Sequence, residues 1–165
     1  MRIVLHISIA LVLVVSACGS TEVSTEPEIR YGRDVCVQCG MIASEAKFAA
    51  TYRVDGEDFV FDDIGDLVVH ARNAGIELDA EQTWVHDFET EASMVAGDAY
   101  FVPTISVATP MGHGVVAFVN ADRAKTFADS LGGQVIAWEA LIKLPIVEGR
   151  VGAASESFSG EDADE

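Results

Sequence analysis

The sequence predicts an α+β fold made of two tandem ββαβ units packed together. The same order of elements, two strands, a helix and a third strand, is legible twice between residues 31 and 145. The landmarks align: Phe61-Asp62 with Val119-Asn120, Gly75 with Gly132, and Trp84 near Val135. Each unit alone is too small to bury a good core, so the two are expected to share one.

The first unit is assigned to residues 31–93. Residues 47–54 read as a strand with Phe48, Ala50 and Tyr52 on one face. Asp55-Gly56 is a hairpin turn signal, and residues 58–61 form the returning strand. Asp62 or Asp63 caps a helix running to about Asn73, with Ile64, Leu67, Val68 and Ala71 at helical spacing. Gly75 ends that helix, and residues 83–88 form the third strand. Met94 falls in the link between the units and reads as a core or linker residue.

The second unit is assigned to residues 94–146. Residues 100–108 and 115–119 read as strands flanking a loop at 109–114. Asn120 caps a helix with Ala124, Phe127, Ala128 and Leu131 on its apolar face, and Gly132-Gly133 ends it. Asp122, Arg123 and Lys125 read as its solvated face. Residues 134–138 read as the last strand, followed by a short segment around Leu141.

The ends of the chain are read apart from this fold. Residues 1–17 form a signal peptide, with Arg2 ahead of a compact apolar run too short for a stable membrane span. Val15-Ser16-Ala17-Cys18 reads as a lipobox, so Cys18 is expected to carry lipid and become the new N-terminus. Residues 18–30 then form a flexible acidic tether, and residues 147–165 a disordered acidic tail, both too polar to bury a core of their own. The expected location is the outer or periplasmic face of a cell membrane.

The chain carries 27 Asp and Glu against 10 Lys and Arg, for a formal net charge of −17. Such a surface repels nucleic acid and anionic headgroups and attracts cations and basic partners. Adaptation to a salty environment would give the same balance.

Of the three Cys, lipid on Cys18 leaves Cys36 and Cys39, set in Cys36-Val37-Gln38-Cys39-Gly40-Met41. An exported pair is a disulfide candidate, but so small a loop would stabilise the fold only modestly. A zinc site normally has four Cys or His ligands, and no second CxxC completes one. A thioredoxin-type site needs CxxC at a helix N-terminus just after a core strand, whereas here a polar tether precedes it and the strand follows. Thiol–disulfide exchange through Cys36 and Cys39 stays as the alternative function. A thioether at Met41 adds a neutral ligand that survives outside the cell, and thiolate plus thioether suits Cu(I).

Thr109-Pro110-Met111-Gly112-His113-Gly114 is a loop with a tightly specified backbone. A Met and a His at its tip are not expected in the core, so Met111 and His113 join Cys36, Cys39 and Met41 as candidate metal ligands. His70, late in the first helix, and His86, read as pointing outward from the third strand, are taken as structural. Asp62-Asp63 reads as a helix cap rather than an acid–base pair, and no nucleophile triad, phosphate loop or dinucleotide fingerprint occurs.

These residues resemble the NosL family of nitrous oxide reductase accessory proteins. The likeness lies in Cys36-Val37-Gln38-Cys39-Gly40-Met41-Ile42, in Phe61-Asp62-Asp63-Ile64 opening a helix, and in Val85-His86-Asp87-Phe88. It continues through Ala99-Tyr100-Phe101-Val102 and Thr109-Pro110-Met111-Gly112 before Val116-Ala117-Phe118, covering about residues 31–140. The resemblance implies a lipid-anchored, extracytoplasmic Cu(I) chaperone rather than an enzyme, with apo nitrous oxide reductase or another copper enzyme as client. It implies a fold of two ββαβ units similar to a domain of organomercurial lyase, although no clear proton donor for carbon–mercury cleavage is present. It also implies Cys36, Cys39, Met41 and Met111 as sulfur ligands, with His113 just beyond the shared loop.

Overall fold

The computed structural model describes residues 25–147, 150 and 151. The proposed lipid site Cys18 and most of the expected C-terminal tail lie outside the described residues. Among the described residues, no helix is long and apolar enough to cross a membrane.

Strands β1 (Ala50–Val54), β2 (Glu57–Phe61), β3 (Thr83–His86) and β4 (Ser93–Val95) form one antiparallel sheet in the order β2-β1-β3-β4. The β1–β2 hairpin turns at Asp55-Gly56, both at positive φ, as the Asp-Gly signal requires. Helix α1 (Ile64–Ala74) follows directly. Asp63 caps it by accepting from the Gly65 amide, and Gly75 closes it in the left-handed conformation.

Strands β5 (Tyr100–Pro103) and β6 (Val115–Phe118) pair antiparallel, and helix α2 (Ala121–Ser130) follows, capped by Asn120. A short helix α3 (Trp138–Leu141) and a small hairpin of β7 (Ile146–Val147) and β8 (Arg150–Val151) complete the described chain.

The α+β class therefore holds, with differences in detail. Residues 46–48 form a turn of 3₁₀ helix, so the first strand starts at Ala50 rather than Lys47. The strand expected over 100–108 stops at Pro103, where the ring leaves no N–H for a ladder. The strand expected over 134–138 shrinks to one antiparallel bridge between Phe101 and Ile136. Trp138 instead opens α3, so the second half is ββα plus a bridge. Met94 pairs with Val85 inside the first sheet, so a boundary after residue 93 cuts through β4.

Helix α1 lies at the centre. It buries Ile64, Gly65, Asp66, Leu67, Val68, Val69 and Ala71, nearly its whole circumference over two turns. Phe61, Leu67 and Val85 share one core with Phe101, Val115, Trp138 and Leu141 from the second half. The other face of β5–β6 presents Val102, Val116 and Phe118 to Ala124 and Ala128 of α2. The hairpin is thus a wall between two cores, which is why all of β6 is buried.

Asp87, just beyond β3, ties the halves together. One carboxylate oxygen accepts from the Glu89 and Thr90 amides and the Thr90 hydroxyl, and the other from the Val119 amide at 2.8 Å. The Phe88 amide donates to the Ala117 carbonyl, also at 2.8 Å. Burial works to raise the Asp87 pKa, but these four donors outweigh it and hold the carboxyl below its ordinary value.

Candidate metal centre

Residues 35–42 fold into a tight loop closed by a bridge between Val35 and Ile42. The Cys36 amide donates to the Met41 carbonyl at 2.7 Å, and the Gly40 amide to the Cys36 carbonyl at 3.0 Å. Gly40 sits at φ 77°, the left-handed region in which a side chain would be strained. The Val37 amide reaches the Val60 carbonyl on β2 and fixes the loop beside the start of α1. Both cysteines are free thiols facing that helix end. Cys36 donates to Asp66 Oδ2 at 3.2 Å, and Cys39 donates to Asp62 Oδ1 at 3.3 Å.

The second loop, 109–114, reaches the same helix end from the other half of the molecule. The Thr109 hydroxyl and the Met111 amide, the latter at 3.0 Å, both donate to Asp63 Oδ2. The imidazole Nε2 of His113 lies 2.8 Å from Asp66 Oδ1. Gly65 makes this approach possible, because a Cβ there would lie 2.2 Å from the His113 Cβ. The two clusters singled out in the sequence therefore meet across Asp62, Asp63 and Asp66.

Cys36, Cys39, Asp62 and Asp66 offer ligand atoms all within 4.8 Å of one another, which is compatible with holding a metal ion. Met41 flanks them half-exposed, and Met111 is partly buried. His113 corrects the expectation of an accessible loop tip: its side chain is fully buried. Its Nε2 is held by Asp66, and its Nδ1 has no partner among the described residues. Asp66 was not singled out in the sequence, and Asp62 was read only as a possible cap. Asp66 lies in the first turn of α1 and Asp62 just before the Asp63 cap, so no helical spacing links the two in the sequence.

The electrostatics keep both thiols protonated in the metal-free chain, so a thiolate ligand and a thiolate nucleophile alike require that proton to be displaced. Burial pushes the Cys36 thiol up to about 11 and shifts Cys39 upward as well. An exchange-active thiol needs the opposite shift. Burial opposes charge on both Asp66 and His113, but their hydrogen bond outweighs it. Asp66, which also accepts from Cys36, lies below its ordinary value, and His113 lies above its own. Asp63 is raised, because burial outweighs the donors from Thr109, Gly65 and Met111.

The other histidines stand apart from this centre. His70 packs among Tyr52, Phe59 and Phe61. His86 does not point into solvent as expected. It is buried, with Nδ1 on the Ala49 carbonyl and Nε2 near Glu26 and Tyr31.

Residues 30–143 match the NosL family, which is most of the chain. The chain belongs to that family. The fold has a solved counterpart, the crystal structure of the copper chaperone NosL from Shewanella denitrificans. The likeness covers 70% of this chain and 93% of that one, with a TM-score of 0.58 and 19% sequence identity. At that identity the likeness speaks for the NosL fold. No protein with curated annotation matches the chain.

Proposed function

We propose that this member of the NosL family is a Cu(I) carrier, held at the outer or periplasmic face of a membrane by lipid on Cys18. Its client would be apo nitrous oxide reductase or a related copper enzyme. The observation that carries this reading is the convergence of the Cys36 and Cys39 thiols with the Met111–His113 loop on the first turn of α1. Two thiolates and a thioether form a soft donor set for a soft d¹⁰ ion. Cys36, Cys39, Met41 and Met111 would supply sulfur. His113 is the remaining candidate ligand: its Nε2 is bonded to Asp66, and its Nδ1 has no partner among the described residues. Membership of the NosL family and a fold shared with a protein named as a copper chaperone support the same reading.

Uptake and release are ligand exchanges, with no change in the oxidation state of copper. The two thiols lose their protons as Cu(I) binds and regain them as it leaves. Transfer needs a surface where a partner's ligands can approach, and the Cys loop provides one. Tyr31, Val35, Val37, Met41 and Ile42 are exposed, half of the large exposed hydrophobic side chains among the described residues. Apolar residues gathered in this way mark a contact surface.

The deciding experiment is an anaerobic Cu(I) titration of the reduced soluble chain against a colorimetric Cu(I) chelator. Tight binding of one copper per chain, or one per dimer, is expected. Affinity should fall at least about a hundredfold in Cys36→Ser/Cys39→Ser and about tenfold in Met111→Leu. Failure to compete with even a weak chelator would leave the CxxC as a redox or structural pair.

A further inference from the structure

The segment before the Cys loop was expected to be a free tether, yet residues 25–31 lie on the body. Helix α1 covers one face of the four-stranded sheet, the face carrying Tyr52, Phe61 and Val85. The opposite face carries Thr51, Trp84 and His86. Thr51 is 0% and Trp84 only 3% exposed. The N-terminal segment runs across this side. Arg53, whose guanidinium lies 5.7 Å from the Trp84 ring centre, donates to the Thr25 carbonyl at 2.9 Å. Pro27 is buried, and Glu26 bonds to both His86 and Ser93. At the other end Arg30 is paired with Asp34, and Gly32, at φ 77°, donates to the Ala43 carbonyl.

One nitrogen decides the contact at the Glu26 end. His86 Nδ1 lies 3.1 Å from the Ala49 carbonyl and must carry a proton to bond there. His86 Nε2 lies 3.2 Å from both Glu26 Oε1 and the Tyr31 hydroxyl. A protonated ring donates to Glu26 from that nitrogen. A neutral ring presents a lone pair instead, which accepts from Tyr31 and repels the carboxylate. We propose that residues 25–31 form a proton-controlled strap, closed while imidazolium at position 86 holds Glu26 and released at the Glu26 end when that ring is neutral.

The surrounding charges agree with this arrangement. Glu26 from the strap and Glu91 from the loop after β3 both favour the cation, and Tyr31 stays neutral with its pKa pushed up to about 12. Burial opposes charge on His86, but the Glu26 and Ala49 contacts outweigh it and the pKa rises above 6.5. Burial likewise opposes charge on Glu26, but the His86 and Ser93 bonds bring it below 4.5. The histidine's contribution to closure is therefore complete below 6.5 and fades as pH rises through the raised value. The glutamate's contribution is complete above 4.5 and fades as pH falls through the lowered one. The Arg30–Asp34 pair titrates outside that interval and keeps the far end anchored, so only the Glu26 end lets go.

The consequence rests on the lipid anchor proposed above. With the strap closed, residues 19–24 alone separate Cys18 from the body, about 20 Å when extended. With the Glu26 end released as far as the Arg30 anchor, the same chain reaches about 37 Å.

The test needs neither lipid nor copper. A glutamate-specific endoprotease cuts after Glu28, between the Glu26 contact and the Arg30 anchor, only when the Glu26 end has opened. Cleavage of the chain from Gly19 onward is followed by mass spectrometry at pH 6.0 and pH 8.5, each rate divided by that of a free peptide spanning residues 24–36. The relative rate in the unmodified chain should rise about tenfold between the two pH values. Glu26→Ala, which removes the contact outright, should be cut rapidly at both. Equal relative rates at the two pH values in the unmodified chain, or a Glu26→Ala rate that is slow at both or still follows pH as before, would overturn the proposal. Loss of copper binding would leave this result untouched, so the two readings fail separately.

Discussion

Helices α1 and α2 begin alike and end up in different surroundings. Each follows a hairpin, and each is capped by a side-chain oxygen, from Asp63 in one and Asn120 in the other. Helix α1 then buries seven of its eleven residues, whereas α2 buries only Ala124 and Ala128 of its ten. The difference is position: α1 is wedged between the sheet and the β5–β6 wall, and α2 lies on the outside of that wall. A helix end at the centre is within reach of loops from both halves. The capping carboxylate there also serves Thr109 and Met111, while its counterpart Asn120 serves the Arg123 amide. Chemistry gathers at the central helix because loops converge there, although the local sequence signals are shared.

Substitutions at matched positions test this contrast. The largest effect is expected two residues after each cap. Gly65→Ala would drive a Cβ into His113 and should cost about 3 kcal/mol, with the 109–114 loop displaced. Asp122→Ala, the equivalent change on α2, should stay within about 0.5 kcal/mol in the same urea titration. Equal losses at the two positions would refute the positional argument.

Next comes Asp66→Asn, which leaves His113 buried without its anion and should cost about 3 kcal/mol at pH 5.5 in the metal-free chain. The His113 pKa is raised above 6.5, so that contribution is complete below 6.5 and is lost as pH rises through the raised value. The gap between Asp66→Asn and the parent should therefore narrow by pH 9. A gap that ignores pH would mean that Asp66 holds a neutral ring. A smaller loss is expected from Asn120→Ala, about 1 kcal/mol from a lost cap. Copper titrations of that variant should superimpose on those of the parent.

Local chemistry made much of this legible in the sequence. The Asp-Gly turn, a cap at 62 or 63, the cap at 120 and the glycine after α1 each act within a few residues, and each is found, the first cap at Asp63. The two sulfur-bearing loops were legible as types, and their tight turns explain why. What escaped depends on distant contacts. Asp66 looks like a solvated helix position until the Cys36 loop and the His113 loop cover it. Val135 and Ile136 favour a strand, but only Ile136 finds a partner, because the chain turns into α3 immediately afterwards. Glu26 reads as one more charge in a polar stretch, and its buried partner lies sixty residues away at His86.

Asp87 has a mechanical consequence for the carrier proposed above. Its carboxylate accepts donors from its own loop and from the end of β6, and the neighbouring Phe88 is bonded to Ala117. Swinging the halves apart would strip a buried anion of its Val119 donor and open the seam beside it in the same movement. A rivet of this kind makes clamshell opening a costly route into the centre. The compliant parts are then the edge of the Cys loop, with Met41 on its exposed rim, and the passage of an ion in or out becomes a matter of local peeling.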